Sequence, residues 1–222
     1  AVTEWKNAIV LTLGTANENP ESYQLKVAGD GITITGPTEA GVFYGIQSLR
    51  KSLPVAVGAD ISMPAVEIND APRFGYRGAH FDTSRHFFTV DEVKTYIDMM
   101  ALHNMNRFHW HITEDQGWRL EIKKYPKLTE IGSKRTETVI GRNSGEYDNT
   151  PYGGFYTQDE LRDMVKYAAD LGITIIPEID LPGHMMAALA SYPELGCTGG
   201  PYEVSGQWGI RDDVLCLSLI HI

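Results

Sequence analysis

The chain has 222 residues, 42% hydrophobic and 22% charged, enough for one large globular domain or for a small domain with part of another. Its formal net charge of −10 excludes nucleic acid and anionic membrane as expected partners, since both need clustered Lys and Arg, and it suits a neutral substrate such as a sugar. No apolar run reaches the roughly 18 residues of a membrane-spanning helix, and the opening Ala1-Val2-Thr3 shows no basic-then-apolar leader, so a removed or absent signal peptide is expected.

Residues 1–70 read as a small α+β domain. Ala8 to Leu13 is a strand candidate, and Tyr23 to Val27 and Gly31 to Gly36 alternate as strands joined by the Gly29-Asp30-Gly31 turn of a hairpin. Thr38 to Leu53 then places Val42, Phe43, Ile46 and Leu49 at helical spacing, a stripe suited to covering one face of a sheet. Pro54, Pro64 and Pro72 punctuate a stretch of little periodicity that reads as a linker.

Residues 71–222 change to strand–helix alternation. Tyr76 to Asp82 is a short strand, and Thr89-Val90-Asp91-Glu92 is a capping box opening a helix to about His103 that buries Val93, Ile97, Met100 and Ala101. Arg107 to Ile112 is the second strand. Thr157-Gln158-Asp159-Glu160 caps a second helix, with Leu161, Met164, Val165 and Ala168 inward and Gly172 at its end. Ile173 to Ile179 is nearly continuous in apolar residues, as in a strand buried on both faces. Such alternation implies a parallel sheet with right-handed crossovers, either doubly wound or a (β/α)8 barrel. No glycine-rich phosphate loop follows a strand, and only three units fit where a barrel needs eight.

Polar clusters follow each strand: Asp82-Thr83-Ser84-Arg85-His86, then Thr113-Glu114-Asp115-Gln116-Gly117-Trp118-Arg119, then Asp180-Leu181-Pro182-Gly183-His184. In parallel folds these positions share one face and build the site. Each has a plainer reading. Arg85 suits a structural ion pair with Asp82 or Asp91, Glu114 and Asp115 suit a turn, and His184 suits a backbone contact beside an architectural Pro-Gly. Two acids beside Trp118 lean toward a sugar site. His109-Trp110-His111 puts two imidazoles on one side of a strand, and with His184 they could hold a divalent metal as amidohydrolase-type barrels do. Cys197 and Cys216 form no disulfide framework and match no zinc signature; pairing and free thiols both stay open.

Tyr76-Arg77-Gly78 through Asp82-Thr83-Ser84-Arg85-His86-Phe87-Phe88, Asn106-Arg107-Phe108-His109-Trp110-His111-Ile112-Thr113-Glu114-Asp115-Gln116-Gly117-Trp118-Arg119, and Pro177-Glu178-Ile179-Asp180-Leu181-Pro182-Gly183-His184 resemble the first three barrel-strand motifs of family 20 hexosaminidases. Ala40-Gly41-Val42-Phe43-Tyr44-Gly45 resembles the small α+β domain before that barrel. The resemblance implies an incomplete (β/α)8 TIM barrel preceded by an α+β domain, with no cofactor and no metal. It implies a retaining β-N-acetylhexosaminidase acting on terminal N-acetylglucosamine or N-acetylgalactosamine of glycans or chito-oligosaccharides, in which the substrate's own 2-acetamido oxygen attacks the anomeric carbon. Arg85 would hold the sugar's 3- and 4-hydroxyls. Asp115 and His184 would lie behind the general acid, and Asp180 would support His184. A secreted or periplasmic home is the family's implication.

The Asp-Glu pair of acetamide orienter and general acid, expected after a fourth strand, is missing, as are the later tryptophans that wall the sugar. The chain after Cys216 reads Leu217-Ser218-Leu219-Ile220-His221-Ile222, expected as a foreign tail, with a fourth strand joined across a deletion as the other reading. This N-terminal fragment is therefore expected to be inactive alone, with a non-catalytic carbohydrate-binding fragment as the alternative.

Overall fold

The computed structural model describes residues 7–14, 17–54, 58 and 61–218, so the opening Ala1-Val2-Thr3 and all of the 217–222 tail but Leu217 and Ser218 lie outside the described residues. It is a mixed α/β structure of two compact units: Ala1–Gly78 with Tyr96–Arg107 and Ala168–Ile173, and Ala79–Thr95 with Phe108–Tyr167 and Thr174–Ile222.

In the first unit β1 (Ala8–Leu13), β2 (Tyr23–Ala28), β3 (Gly31–Gly36), α1 (Glu39–Ser52) and β4 (Val66–Asp70) form a sheet of order β1-β3-β2-β4 with one helix against it. The expected hairpin is present: Ala28 pairs with Gly31 across a two-residue turn, and β3 then runs parallel to β1. The Thr38 hydroxyl accepts from the Gly41 N–H (3.3 Å) to open α1, and Glu39 at its start with Arg50 and Lys51 at its end suit the helix dipole. The inward face differs from the expected stripe. Val42, Tyr44 and Leu49 pack on Tyr23, Leu25 and Ile34, while Phe43 and Ile46 flank the core half-buried. Gly41 explains the rotation, since a Cβ there would lie 2.2 Å from the Ser22 carbonyl oxygen. The helix presses its glycine side, and Tyr44 with it, onto the sheet.

The stretch expected as a linker contains β4, antiparallel to β2 from Tyr23↔Asp70 to Val27↔Val66. All five of its residues are exposed. It is an edge strand held by backbone pairing and by the Gln24 amide, which donates to Glu67 (3.1 Å) and Asn69 (2.9 Å), and its only apolar alternation is the single pair Val66 and Ile68 between Pro64 and Pro72. Arg77 adds a two-pronged ion pair with Glu21 (2.9 and 3.1 Å) and donates to the Tyr44 hydroxyl (2.9 Å).

The chain continues through β5 (Gly78–Asp82), α2 (Val90–Leu102), β6 (Arg107–His111), β7 (Thr113–Glu114), β8 (Gly117–Trp118), α3 (Lys127–Glu130), β9 (Lys134–Arg135), β10 (Tyr152–Gly153), α4 (Gln158–Asp170), β11 (Thr174–Glu178) and α5 (Met186–Ser191). β5, β6 and β11 form a sheet of order β11-β6-β5. Bonds join start to start (Arg107 N–H to Arg77 C=O, 3.2 Å) and end to end (Thr83 N–H to His111 C=O, 3.1 Å; Ile112 N–H to Glu178 C=O, 3.4 Å), so the strands are parallel. Both capping boxes close: Thr89 N–H reaches Glu92 (2.7 Å) and Thr157 N–H reaches Glu160 (2.8 Å). Gly172 ends α4 at φ +73°.

Two expectations are corrected. Val165 is 51% exposed, because it lies about 100° around α4 from the buried Met164. β11 is an edge strand among the described residues, with Ile176 partly exposed, rather than buried on both faces.

Candidate active site

Three strand ends supply the site. After β5 the Asp82 carboxylate accepts the N–H groups of Ser84 (2.9 Å) and Arg85 (3.1 Å), a turn in which a short acid replaces a backbone acceptor. The same carboxylate pairs with the Arg85 guanidinium, whose other arm donates to Glu114. Arg85 thus reaches across from one strand end to the next while its side chain stays 36% exposed. Burial pushes the Asp82 carboxyl up, and the Arg85 N–H and guanidinium more than reverse this, leaving it below its ordinary value.

After β6 the small β7–β8 hairpin presents two adjacent, buried acids. Glu114 accepts from Arg85, from the Asp115 N–H (2.7 Å) and from His184 Nδ1 (3.0 Å). Asp115 faces the same Nδ1 at 3.2 Å and accepts the Met186 N–H at 3.1 Å. Burial raises the Asp115 carboxyl above its ordinary value and the Glu114 charge adds to this, while the Met186 N–H and His184 pull the other way. After β11 the turn ends at His184, held at φ +57°, a left-handed conformation costly for a side-chain-bearing residue. That backbone delivers the ring to both acids. Arg85, Asp115 and His184 are therefore brought together as expected from their motifs. Asp180 makes no hydrogen bond or ion pair with His184; Glu114 and Asp115 hold the ring instead.

Beneath lies a second polar layer that the motifs did not single out as a unit. Glu178 meets His109 Nε2 (2.6 Å) and His111 Nδ1 (2.9 Å), and His80 Nε2 stands 3.7 Å away. The other His111 nitrogen lies 3.6 Å from Glu114, an ion pair too long for a direct hydrogen bond. Burial alone would lower the His111 pKa, yet Glu114, Glu178 and the Asp82 charge raise it to about 9. Glu178 responds in kind, with the histidines holding it below its ordinary value against the effect of burial.

The metal set expected from His109, His111 and His184 does not assemble: among the described residues, the groupings of three possible ligands are His80–His109–Glu178 and Glu114–Asp115–His184. In the first, the 2.6 Å contact between His109 and Glu178 is shorter than the roughly 3.3 Å separating two ligands of a tetrahedral zinc. In the second, the inward atoms are engaged with one another and with backbone N–H groups.

Two arginines frame the acids. Arg119 is fully buried and donates to the carbonyls of Ser84 (2.7 Å), Ser133 (2.7 Å) and Gly154 (2.9 Å); burial lowers its pKa to about 10. Arg135 donates to the carbonyls of Arg85 (2.9 Å) and Gln116 (3.2 Å). Arg119 stands in the second motif, but nothing in the sequence around Arg135 announces its role. Trp118, read as a hint of a sugar site, is instead core: it packs with Leu128, Met185, Ala187 and Ala188 and donates its indole N–H to the Leu120 carbonyl (2.6 Å).

Comparison with known proteins gives a consistent picture. The family model described as glycosyl hydrolase family 20, catalytic domain, matches residues 74–220, and that described as family 20, domain 2, matches residues 2–71. A β-hexosaminidase of Porphyromonas gingivalis is 48% identical over 217 residues, covering 95% of this chain and 27% of that protein. The structure of a family 20 β-N-acetylhexosaminidase from Streptomyces coelicolor superposes with a TM-score of 0.83 at 40% identity, covering 96% of this chain and 42% of that one. An exo-β-N-acetylglucosaminidase from Vibrio harveyi, solved with N-acetylglucosamine, superposes with a TM-score of 0.75 at 40% identity, covering 85% and 29%. The chain spans less than half the length of each of these three proteins.

Proposed function

The chain belongs to glycosyl hydrolase family 20, and on that premise we propose that the protein carrying it removes terminal β-linked N-acetylglucosamine or N-acetylgalactosamine with retention of configuration. One observation carries the reading: Arg85, Asp115 and His184, from three parallel strand ends, meet around the buried carboxylate of Glu114. The N-acetylglucosamine held by the V. harveyi relative fits that sugar class. In the same reading β5, β6 and β11 are the first three strands of a (β/α)8 barrel, residues 1–70 form the α+β domain before it, and the site lies where such barrels place theirs.

The substrate supplies the nucleophile, its 2-acetamido oxygen, and forms an oxazolinium that water then opens. What this chain contributes is grip and tuning. Arg85, charged and partly exposed, offers a planar donor fork to the sugar's 3- and 4-hydroxyls, and its ion pairs with Asp82 and Glu114 fix the fork before substrate arrives. Glu114 and Asp115 orient His184, which leaves the rest of the ring to face the general acid and keep its pKa high enough to donate. The support first expected of Asp180 passes to these two acids.

No residue here matches the acetamide orienter and general acid. The two Asp-Glu pairs of the sequence, Asp91-Glu92 and Asp159-Glu160, sit in the caps of α2 and α4. The 222 residues alone are therefore expected to give no turnover of an aryl β-N-acetylglucosaminide. A longer protein carrying them is expected to turn it over, releasing the β-anomer first by NMR. Arg85→Ala should lower its kcat/KM about 10- to 100-fold, the worth of charge-assisted hydrogen bonds. First release of the α-anomer, or unchanged kcat/KM in Arg85→Ala, would refute the proposal.

A further inference from the structure

The two cysteines stand at the ends of one loop, and the chain clasps itself at that point. Gly196 and Leu215 form an antiparallel bridge, and the Cys216 N–H donates to the Leu195 carbonyl at 2.8 Å. In such a pairing Cys197 lies opposite residue 214, so Cys197 and Cys216 are diagonal neighbours on one face of the bridge. Both cysteines are free thiols; the neighbouring Cys216 pushes the Cys197 thiol up from its ordinary value, and the Cys216 thiol meets the Ser218 hydroxyl at 3.0 Å. Cys197 is exposed and Cys216 partly so.

The loop between them backs the candidate site. The Ser205 N–H donates to the Asp115 carbonyl (2.9 Å), the Gln116 side chain donates to the Gln207 carbonyl (2.7 Å), and the Val139 N–H donates to the Gly206 carbonyl (2.9 Å). A cavity of about 430 Å³ opens beside it, lined on one side by residues 203–207 and 210–213 and on the other by Met186, whose N–H Asp115 accepts. Trp208 exchanges two further bonds with the Asn143 side chain (2.9 and 3.0 Å), the Gln207 amide donates to the Tyr147 hydroxyl, and the Leu215 N–H donates to the Pro182 carbonyl (3.0 Å), while among the described residues the 209–213 stretch around Arg211 makes no hydrogen bond to the chain outside the loop.

We propose that Cys197 and Cys216 are a site of reversible oxidative cross-linking, at which a small-molecule disulfide closes the 197–216 loop against the Asp115 hairpin. The step balances as two thiol–disulfide exchanges. The exposed Cys197 thiolate attacks one sulfur of oxidised glutathione, and the S–S electron pair leaves on the first glutathione thiolate. The Cys216 thiolate then attacks the Cys197 sulfur and expels the second glutathione. The two protein sulfurs lose two electrons, one glutathione disulfide gains them, and the two thiol protons end on two glutathiones. Closure removes open-loop conformations, which favours the fastened state. The proposal concerns this chain's own covalent state and does not depend on the catalytic reading.

The 222-residue chain is equilibrated in glutathione buffers of increasing oxidised fraction, quenched with acid and alkylated. The expected result is concerted loss of both alkylatable thiols, a Cys197–Cys216 linked peptide under non-reducing conditions, and tryptic cleavage after Arg211 several-fold slower than in the reduced chain. Cys197→Ser and Cys216→Ser should each give only a mixed glutathione adduct with cleavage unchanged. Both thiols remaining alkylatable at the most oxidising ratio, or linkage only between chains, would overturn the cross-link. A cross-link that leaves cleavage after Arg211 as fast as in the reduced chain would overturn the fastening.

Discussion

His111 is buried between two carboxylates, and its removal should change how stability depends on pH. A pKa carried from 6.5 to about 9 corresponds, at roughly 1.4 kcal/mol per pH unit, to about 3 kcal/mol of preference for the folded, protonated ring. Because the folded value lies above the unfolded one, this contribution is complete below pH 6.5 and is lost as pH rises through about 9. His111→Gln should therefore destabilise the chain by about 2–3 kcal/mol near pH 6 and by much less near pH 10. The measurement is urea unfolding followed by tryptophan fluorescence, since Trp110 and Trp118 are both buried in the second unit. Subtracting variant from wild type at each pH cancels the titrating groups that do not contact His111, the thiols included. A difference that stays flat from pH 6 to pH 10 would refute the charged-imidazole account.

Glu21 gives the opposite slope. Its bonds to Arg77 hold its carboxyl below the ordinary value, so its contribution is present above pH 4.5 and lost as pH falls through the folded pKa. Glu21→Gln should cost about 1–2 kcal/mol at neutral pH and little near pH 3, read from thermal melts. Trp118→Ala should cost about 3–5 kcal/mol in urea unfolding followed by circular dichroism, the range for emptying a packed aromatic site, whereas a surface stacking platform would cost far less. Thr89→Ala, which removes the cap of α2, should cost about 1 kcal/mol in the same assay.

What the sequence showed follows from which interactions leave a periodic trace. β2, β3 and both capping boxes were legible because alternation and the Thr-x-x-Glu spacing are local patterns, and β1 because it is a short apolar, β-branched run. β4 was not, since an exposed edge strand is held by backbone bonds that any side chains permit. The motifs located Arg85, Asp115 and His184 but misjudged the wiring. Asp180 stands next to the turn in sequence, whereas Glu114, which holds His184, comes from a different strand end. Trp118 misled for the same reason: a tryptophan beside acids reads alike whether its ring faces solvent or, as here, the core.

Arg119 spends its guanidinium on the main-chain oxygens of Ser84, Ser133 and Gly154, not on their side chains. Main-chain oxygens are common to every amino acid, so this anchor is indifferent to what those three positions spell. The three mooring positions are themselves fixed by packing, since a Cβ on Gly154 would lie 2.4 Å from the Phe87 ring and both serines are buried, but exposed residues elsewhere in these loops can exchange, and with them the surface they present, without shifting the acids they surround. In the language of inheritance, Arg119 separates where the loops lie from what they say, leaving the second free to drift while the first is held.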